Sequence, residues 1–277
     1  MTTAGAVQEP DRDLTRSREQ LLQDLARAQT RTRLSFRAKF VLVWIFLTLF
    51  FGVMVWIGGR VDPEFIERSG PIIVRGAGIT IFVCLISIVV ATILAIVGAI
   101  SRLSANPYIN GIASLYVSLV RGTPLLVQII FVFYGLPQLG IILPAIAAGI
   151  IALSFNYGAY MTEIFRAGIQ AVPRGQREAA AALGMPERLI MRRIVLPQAT
   201  RIVIPAIGND FIAMLKDSAL LSVIAVPELL WWGQRLGRSG FQPLTGVLIA
   251  AVVYWLLTMV FSFFQERLER RMARSDR

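Results

Sequence analysis

The sequence contains no histidine and only one cysteine in 277 residues. Without histidine, the chain has no His-based metal site, proton relay or catalytic triad. The single Cys84 lies inside a hydrophobic run, so it forms no disulfide framework and does not indicate a redox compartment. Charged residues are also scarce, at 16%, whereas hydrophobic residues reach 56% and the mean hydropathy is +0.65. These values lie outside the usual range of soluble domains and predict a membrane protein.

Hydrophobic runs long enough to cross a bilayer recur along the chain, and we predict six membrane spans from them. Four of these runs carry no charge or almost none: 40–59, 76–100, 139–162 and 244–265. The other two include charged residues, which are Arg121 within 112–136 and Asp210, Lys216 and Asp217 within 202–226. The sequence therefore predicts an all-α integral membrane protein.

The net charge of +11 is unevenly distributed along the chain. Most Lys and Arg residues lie in 1–39, 166–201 and 266–277, whereas the loops predicted at 60–75 and 227–243 hold few. Positive charge accumulates on the cytoplasmic side of membrane proteins. We therefore expect both termini and 166–201 in the cytoplasm, with 60–75 and 227–243 outside. Because the basic residues follow membrane topology, they do not indicate a nucleic-acid partner.

An alanine-rich, basic segment, residues 178–197, separates two predicted spans. Ala179 to Leu183 are strong helix formers, Gly184 suits the position after a helix, and Pro186 suits the first turn of the next. We predict two short helices with a bend between them on the membrane surface, with Glu178 near a helix N-terminus. The segment resembles the EAA loop of permease subunits of ATP-binding-cassette (ABC) importers, which implies docking of an ATPase subunit. The coupling residues implied are Glu178, Ala179, Ala180, Gly184, Arg188, Leu196 and Pro197.

Further motifs in residues 75–265 resemble the polar amino-acid branch of these permeases, the histidine/glutamine/arginine type. They are R-G-T-P-L-L-V-Q at 121–128, A-Y-M-T-E-I-F-R-A-G-I at 159–169, L-P-Q-A at 196–199 and L-K-D-S-A-L at 215–220. In the last motif, Ser218 and Ala219 replace a commoner Thr-Ser pair. The resemblance implies a type I ABC-importer permease fold with a five-span core, to which 40–59 adds one extra N-terminal span.

We expect four parts along the chain. Residues 1–39 form a cytoplasmic tail, either an amphipathic helix on lipid or a disordered tail, and 40–59 form the extra transmembrane span. Residues 75–265 form the permease domain, with the EAA coupling loop at 172–199. Residues 266–277 form a short basic cytoplasmic tail.

Polar residues at helical spacing mark one face of each of three predicted spans. These faces consist of Asn156, Tyr160 and Glu163; of Asp210 and Asp217; and of Arg121 and Gln128. A charge at bilayer depth costs about 2.5–3.5 kcal/mol on insertion scales, so it usually faces a cavity or a partner. We expect the three faces to line one hydrophilic chamber that binds an amino acid. The candidate substrate-binding residues are Asn156, Asp217, Thr123, Gln128, Arg121, Ser218 and Glu163.

Other roles remain open for several of these residues. Glu163 and Arg166 alternatively form a structural pair at the headgroup boundary, and Lys216 alternatively neutralises Asp217. Asn156 alternatively bonds a neighbouring helix, and Arg121 acts in gating or assembly. Pro124 is expected to disturb the span that carries Arg121.

The chain contains no G-x-x-x-x-G-K-[ST] P-loop, so we do not expect it to hydrolyse ATP. The resemblance implies that separate cytoplasmic ATPase subunits bind ATP–Mg, that this chain holds no cofactor or metal, and that import proceeds by alternating access. It also implies a second permease subunit, in a homodimer or heterodimer, and an extracytoplasmic solute-binding protein that delivers a polar amino acid. A secondary amino-acid transporter is the alternative, although it has no use for a helical docking loop. A channel and an intramembrane enzyme are further alternatives, but the sequence shows neither a pore motif for the first nor a good nucleophile for the second.

Overall fold

The computed structural model describes residues 36, 38–50, 52–53 and 62–273, and every regular element in these residues is helical. The chain divides into two units, Met1–Val61 and Asp62–Arg277. In the first unit, helix α1 (Ala38–Phe50) is apolar and covers part of the span predicted at 40–59. Most of the rest of that span, and nearly all of the tail predicted at 1–39, lies outside the described residues.

The second unit consists of α-helices joined by short turns. Its helices are α2 (Pro63–Arg102), α3 (Pro107–Arg121), α4 (Leu125–Ile130), α5 (Ala145–Gln170), α6 (Arg174–Ala182), α7 (Glu187–Ile190), α8 (Leu196–Asp217), α9 (Leu229–Ser239) and α10 (Pro243–Ala273). Turns of π-helix follow α4 and α7 at Phe131–Gly135 and Met191–Val195, and 3-10 turns lie at Leu136–Leu139 and Ser218–Ile224.

Three helices in the described residues are long and apolar enough to cross a membrane, namely Pro63–Arg102, Ala145–Gln170 and Pro243–Met272. They match the spans predicted at 76–100, 139–162 and 244–265, although α2 begins earlier and α5 begins later than predicted. A bent pair, α3 with Leu125–Leu139, passes the same criterion when taken together. The span predicted at 202–226 corresponds only in part to α8, because that helix ends at Asp217.

Most of the loop predicted at 60–75 is helical, because α2 begins at Pro63. Asp62 caps the helix by accepting a hydrogen bond from the Glu64 N–H at 3.0 Å. Pro63 takes the first helical position, where no backbone donor is needed. The charged residues of this stretch lower its hydropathy without opposing a helix, so the length of the hydrophobic run underestimates the helix.

The span predicted at 112–136 is divided by a bend of 105° between α3 and α4. Pro124 precedes α4, where it supplies no backbone donor and its ring blocks continuation from α3. Gln128 fills part of the gap in the backbone hydrogen bonding. Its Nε2 donates to the carbonyl oxygens of Val120 at 2.8 Å and Thr123 at 3.1 Å. The expected disturbance at Pro124 is confirmed, and it is a complete break in the helix.

Most of the loop predicted at 227–243 forms the short helix α9. Glu228 is fully buried and caps this helix, because its carboxylate accepts hydrogen bonds from the N–H groups of Leu230 at 2.9 Å and Trp231 at 2.7 Å. The hydroxyl of Tyr254 on α10 donates to the same carboxylate. A buried carboxylate needs such partners, so these bonds fix the start of α9 against α10.

The core of the second unit forms where α2 packs against α5. The Ser87 hydroxyl donates to the Ile150 carbonyl at 3.4 Å, and the Ser154 hydroxyl donates to the Ser87 carbonyl at 3.3 Å. Small residues that allow close approach and hydrogen bonds between helices are the usual basis of helix association in lipid. Residues of α4 and α8 pack against the same core, so α5 is in contact with every helix that carries a candidate substrate residue.

Helices α8 and α10 are joined at a second close contact. The Gln265 side chain of α10 donates to the carbonyl oxygen of Pro205, within α8, at 2.7 Å. Any side chain at Gly208 would overlap the Gln265 amide. Glycine at this position therefore allows the hydrogen bond that holds the two helices together.

Candidate functional site

The bent two-helix segment predicted from the sequence is formed by α6 and α7. α6 ends in a Schellman motif, in which the Gly184 N–H donates to the Ala181 carbonyl at 2.9 Å and the Met185 N–H donates to the Ala180 carbonyl at 3.1 Å. Gly184 takes φ 76°, a left-handed conformation that glycine adopts without steric cost. α7 begins directly after Pro186. The predicted bend and the place of Gly184 in it are confirmed.

This segment has one face packed inward and one face turned outward. Ala180 is buried and packs with Val172, Ile190 and Val195 in a small hydrophobic cluster. The other predicted coupling residues are exposed, and they are Glu178, Ala179, Gly184, Arg188, Leu196 and Pro197. The placement of Glu178 near a helix N-terminus is wrong, because α6 begins at Arg174 and Glu178 is its fifth residue. The outward face therefore offers a partner both signs of charge, while Ala180 anchors the segment from behind.

Hydrogen bonds hold this segment to the ends of two long helices. Arg177 in α6 donates to the carbonyl oxygen of Ile169 in α5 at 3.2 Å. Gln198 in α8 donates to the side-chain oxygen of Gln176 in α6 at 2.5 Å. Only residues 171–173 separate α5 from α6. A partner that moves α6 thus acts directly on α5 and α8.

A first group of candidate substrate residues meets where α4 packs against α5. Asn156 is buried, and its Nδ2 donates to the Gln128 Oε1 at 3.1 Å. Gln128 in turn donates from Nε2 to the Thr123 hydroxyl at 2.8 Å. The predicted faces of the third and fourth spans therefore do come together. Part of this contact is structural, since the same Gln128 amide also bonds the carbonyl oxygens at the break after α3.

A second group joins α5 to α8 one residue further along. The Tyr157 hydroxyl donates to the Asp217 carboxylate at 2.7 Å. Lys216 is exposed, and among the described residues it makes no ion pair with Asp217, so the alternative of mutual neutralisation does not fit the structure. Ser218 is fully buried and donates to the Leu215 carbonyl at 2.8 Å within its own turn. Asp210 lies on the same helix, and its buried Oδ2 has no hydrogen-bond partner in residues 62–273.

Two further candidates lie apart from these groups. Arg121 is exposed at the end of α3, with its guanidinium 5.3 Å from the ring centroid of Tyr160. Glu163 accepts from Arg102 at 3.2 Å and from Arg166 at 2.7 Å, so it is paired with two arginines. Helical rise puts it about 9 Å beyond Tyr157 towards α6. The structure thus fits the alternative of a structural ion pair for Glu163.

Tyr157 and Arg102 were not among the residues singled out from the sequence. Tyr157 is adjacent to Asn156, and an aromatic hydroxyl inside a hydrophobic run is the pattern that could have marked it, because a buried hydroxyl needs a partner. Arg102 ends the long helix α2, where a basic residue is expected at a cytoplasmic boundary, so its pairing with Glu163 has no sequence indication.

We define the inner polar cluster as Thr123, Gln128, Asn156, Tyr157 and Asp217. It combines two amides, two hydroxyls and one carboxylate, supplied by three separated stretches of chain. Amides and hydroxyls can bind a carboxylate, and Asp217 can bind an ammonium or guanidinium group. Within residues 62–273 no group of three or more His, Cys, Asp or Glu residues is arranged to hold a metal ion. Both kinds of partner that a zwitterion needs are therefore present at this level of α5, in two groups that lie on different sides of the helix.

Comparison with known proteins identifies the family to which the chain belongs. Residues 87–274 match the family described as binding-protein-dependent transport system inner membrane component. The chain is 37% identical over 220 residues to the L-cystine transport system permease protein TcyB of Bacillus subtilis, covering 79% of this chain and 94% of the relative. It is 38% identical over 208 residues to the arginine transport system permease protein ArtQ of the same organism, covering 74% and 94%.

Solved structures resemble the second unit. A crystal structure of an amino acid ABC transporter with histidines is 37% identical, with a TM-score of 0.73 over 76% of this chain and 99% of that chain. An inward-facing structure of the MetNI methionine ABC transporter is 18% identical, with a TM-score of 0.60 over 76% and 97%. The second likeness concerns the fold alone, and it confirms the type I importer architecture.

Proposed function

The chain belongs to the family of binding-protein-dependent transport system inner membrane components, and from that premise we propose which solute it moves and how. It is a permease subunit of an amino-acid ABC importer, a membrane transporter component and not itself an enzyme. This excludes the secondary transporter as the main interpretation.

The proposed solutes are polar amino acids, bound reversibly at the inner polar cluster. The observation that carries this proposal is the contact of Asn156 with Gln128 and of Tyr157 with Asp217, on adjacent residues of α5. An amino acid needs a partner for each of its charged ends, and these groups provide both kinds. The names of the relatives, which refer to cystine and arginine, agree with a polar substrate. Arg121 and Ser218 are retained as secondary candidates at the margins of the cluster.

The energy comes, in this proposal, from ATP–Mg bound by separate cytoplasmic ATPase subunits. The exposed face of α6 and α7, with Glu178 and Arg188, receives the ATPase, while buried Ala180 keeps the segment attached. Closure of the ATPase pair moves α6, and the helices alternate between two states that expose the cluster to opposite sides. A second permease subunit, identical or homologous, completes the pathway. An extracytoplasmic solute-binding protein delivers the amino acid.

The proposed location is the cytoplasmic membrane, with α6 and both termini in the cytoplasm and α9 outside. α9 packs near Ile73 of α2, whereas Arg102 at the other end of α2 contacts α5 close to α6. Helical rise separates Ile73 from Arg102 by about 44 Å, more than the roughly 30 Å of a hydrocarbon core. In a Cys84→Ser background, an impermeant thiol reagent applied to intact cells should label a cysteine at Gly240 and not one at Arg174. The reverse pattern would overturn the proposed orientation.

Transport by the reconstituted complex tests the function itself. The permease is purified with its co-purifying ATPase and solute-binding protein and placed in proteoliposomes. We expect radiolabelled arginine, cystine, glutamine or histidine to accumulate only when ATP is supplied on the ATPase side. Accumulation that follows an imposed ion gradient and ignores ATP would contradict the proposal and favour a secondary transporter.

A further inference from the structure

The turn between α9 and α10 has a bulky residue where glycine is expected. α9 ends in a Schellman motif, in which the Gln242 N–H donates to the Gly237 carbonyl at 2.7 Å and the Phe241 N–H donates to the Arg238 carbonyl at 3.3 Å. Phe241 therefore occupies the left-handed position, with φ 55°. α6 ends in the same motif, and there the corresponding residue is Gly184.

Within residues 62–273 no packing of the phenylalanine side chain offsets this unfavourable backbone conformation. A left-handed conformation is an outlier for a bulky side chain, whereas glycine adopts it freely. The Phe241 side chain is 92% exposed, so packing within the described residues does not compensate for the strain. Strained residues that the surrounding structure holds in place are concentrated at functional sites. An aromatic ring that is exposed and held in a fixed backbone conformation is suited to pack into the surface of a partner protein.

A cleft of about 540 Å³ ends two residues before Phe241 in the sequence, between α9 and the 3-10 turn at Ser218–Ile224. The cleft is lined by Ser222, Trp231, Gln234, Arg235, Arg238 and Ser239. Arg235 and Arg238 are exposed, and the Arg235 guanidinium lies 4.9 Å from the ring centroid of Trp231, which orients it. The acidic residue of this stretch, Glu228, is fully buried as the helix cap. The exposed charge of α9 is therefore positive only.

We propose that Phe241, Arg235 and Arg238 form a docking surface for an acidic patch of the extracytoplasmic solute-binding protein. The proposal rests on the proposed function, which places α9 outside. Aromatic and arginine residues supply most of the binding energy in protein interfaces, and complementary charge sets their association rate. A lipid headgroup layer is the other surface that accepts an aromatic ring beside arginines, and the experiments below separate it from the binding protein. Phe241 inserts into the binding protein, and the two arginines pair with its carboxylates at the edge of the contact.

The test measures ATP hydrolysis by the reconstituted complex as the concentration of the co-purified solute-binding protein is raised, with its amino acid present. Phe241→Gly removes the ring and also relieves the backbone strain, so loss of fold does not confound it. We expect the concentration for half-maximal stimulation to rise at least tenfold in Phe241→Gly and to stay near wild type in Phe241→Trp. Phe264→Gly, at an exposed position of α10 away from this turn, is the matched control and should leave the concentration unchanged.

Salt dependence tests the charged part of the surface. In Arg235→Gln/Arg238→Gln we expect a higher half-maximal concentration and a weaker dependence on ionic strength than in wild type. An unchanged curve for Phe241→Gly and for the arginine variant would overturn the proposal. If bromolipids quench Trp in Phe241→Trp while the stimulation curves are unchanged, the ring is instead a lipid anchor. A wild-type complex that the binding protein does not stimulate would overturn the proposed function, which is a separate result.

Discussion

The hydrogen bond between Tyr157 and Asp217 allows the role of the carboxylate to be tested directly. Two roles are possible: Asp217 binds the cationic group of the amino acid, or it only accepts the hydrogen bond that ties α5 to α8 at 2.7 Å. Asp217→Asn removes the charge and keeps the size of the side chain. Tyr157→Phe removes the internal donor and leaves the charge in place. The two substitutions therefore separate the roles.

The expected magnitudes follow from the energy of charge-assisted hydrogen bonds. Losing one to an ionised group costs about 1.5–3 kcal/mol, which corresponds to a loss of affinity of roughly ten- to a hundredfold. If Asp217 binds the ligand, Asp217→Asn should show this full loss. Tyr157→Phe should lose less than about tenfold, because a neutral donor orients the carboxylate without carrying the attraction.

The measurement is binding of the radiolabelled amino acid that the wild type transports to the purified complex, together with transport at saturating solute-binding protein. Assembly with the ATPase, checked by gel filtration, should be intact in both variants. Equal losses in the two single variants, with no further loss in the double variant, would mean that the carboxylate serves only the contact between α5 and α8. That result would refute Asp217 as a ligand residue.

Three other predictions concern coupling and packing. Glu178→Lys and Gly184→Asp should each abolish the stimulation of ATP hydrolysis by substrate while leaving the fold of the permease intact, and normal stimulation in both would contradict the docking role of α6. Gly208→Ala should displace the end of the Gln265 side chain and break its hydrogen bond to Pro205, which should lower the thermal midpoint of the complex by the equivalent of about 0.5–1.5 kcal/mol. In a Gln265→Ala background the same substitution should cause no further loss, and a further loss would refute the contact. Glu163→Gln should destabilise by about 1–3 kcal/mol through the lost ion pairs with Arg102 and Arg166, while a binding defect without a stability change would restore Glu163 as a ligand candidate.

Sequence reasoning predicted the architecture wherever a simple pattern determines it. Hydrophobic run length located α2, α5 and α10, because crossing a bilayer requires a long apolar helix. The bend of the coupling segment was predictable because Gly184 and Pro186 have conformational preferences that do not depend on the rest of the fold. The break at Pro124 was anticipated but not its 105° angle, since that angle depends on packing and on the Gln128 side chain.

The candidate site was predictable only in part, because its contacts join distant stretches of chain. Helical spacing correctly placed Asn156 and Gln128 on faces that meet. It could not indicate that Asp217 is bonded to Tyr157 instead of Lys216, since the partner across a helix interface depends on the rotation of both helices. Glu163 shows the same limitation, because its partner Arg102 is 61 residues away in the sequence.

Helix α5 is continuous, so it forms a rigid connection between the inner polar cluster and α6. About 20 Å of continuous helix separate Tyr157 from Gln170, where the chain turns into α6. Because the helix is continuous, we expect a displacement of a few ångströms imposed at α6 to be transmitted along it to Tyr157. In the proposed function, motion of α6 driven by the ATPase would therefore reach the Tyr157–Asp217 contact. A proline at Met161 would interrupt α5 and leave the residues at both of its ends unchanged, and we expect it to abolish transport.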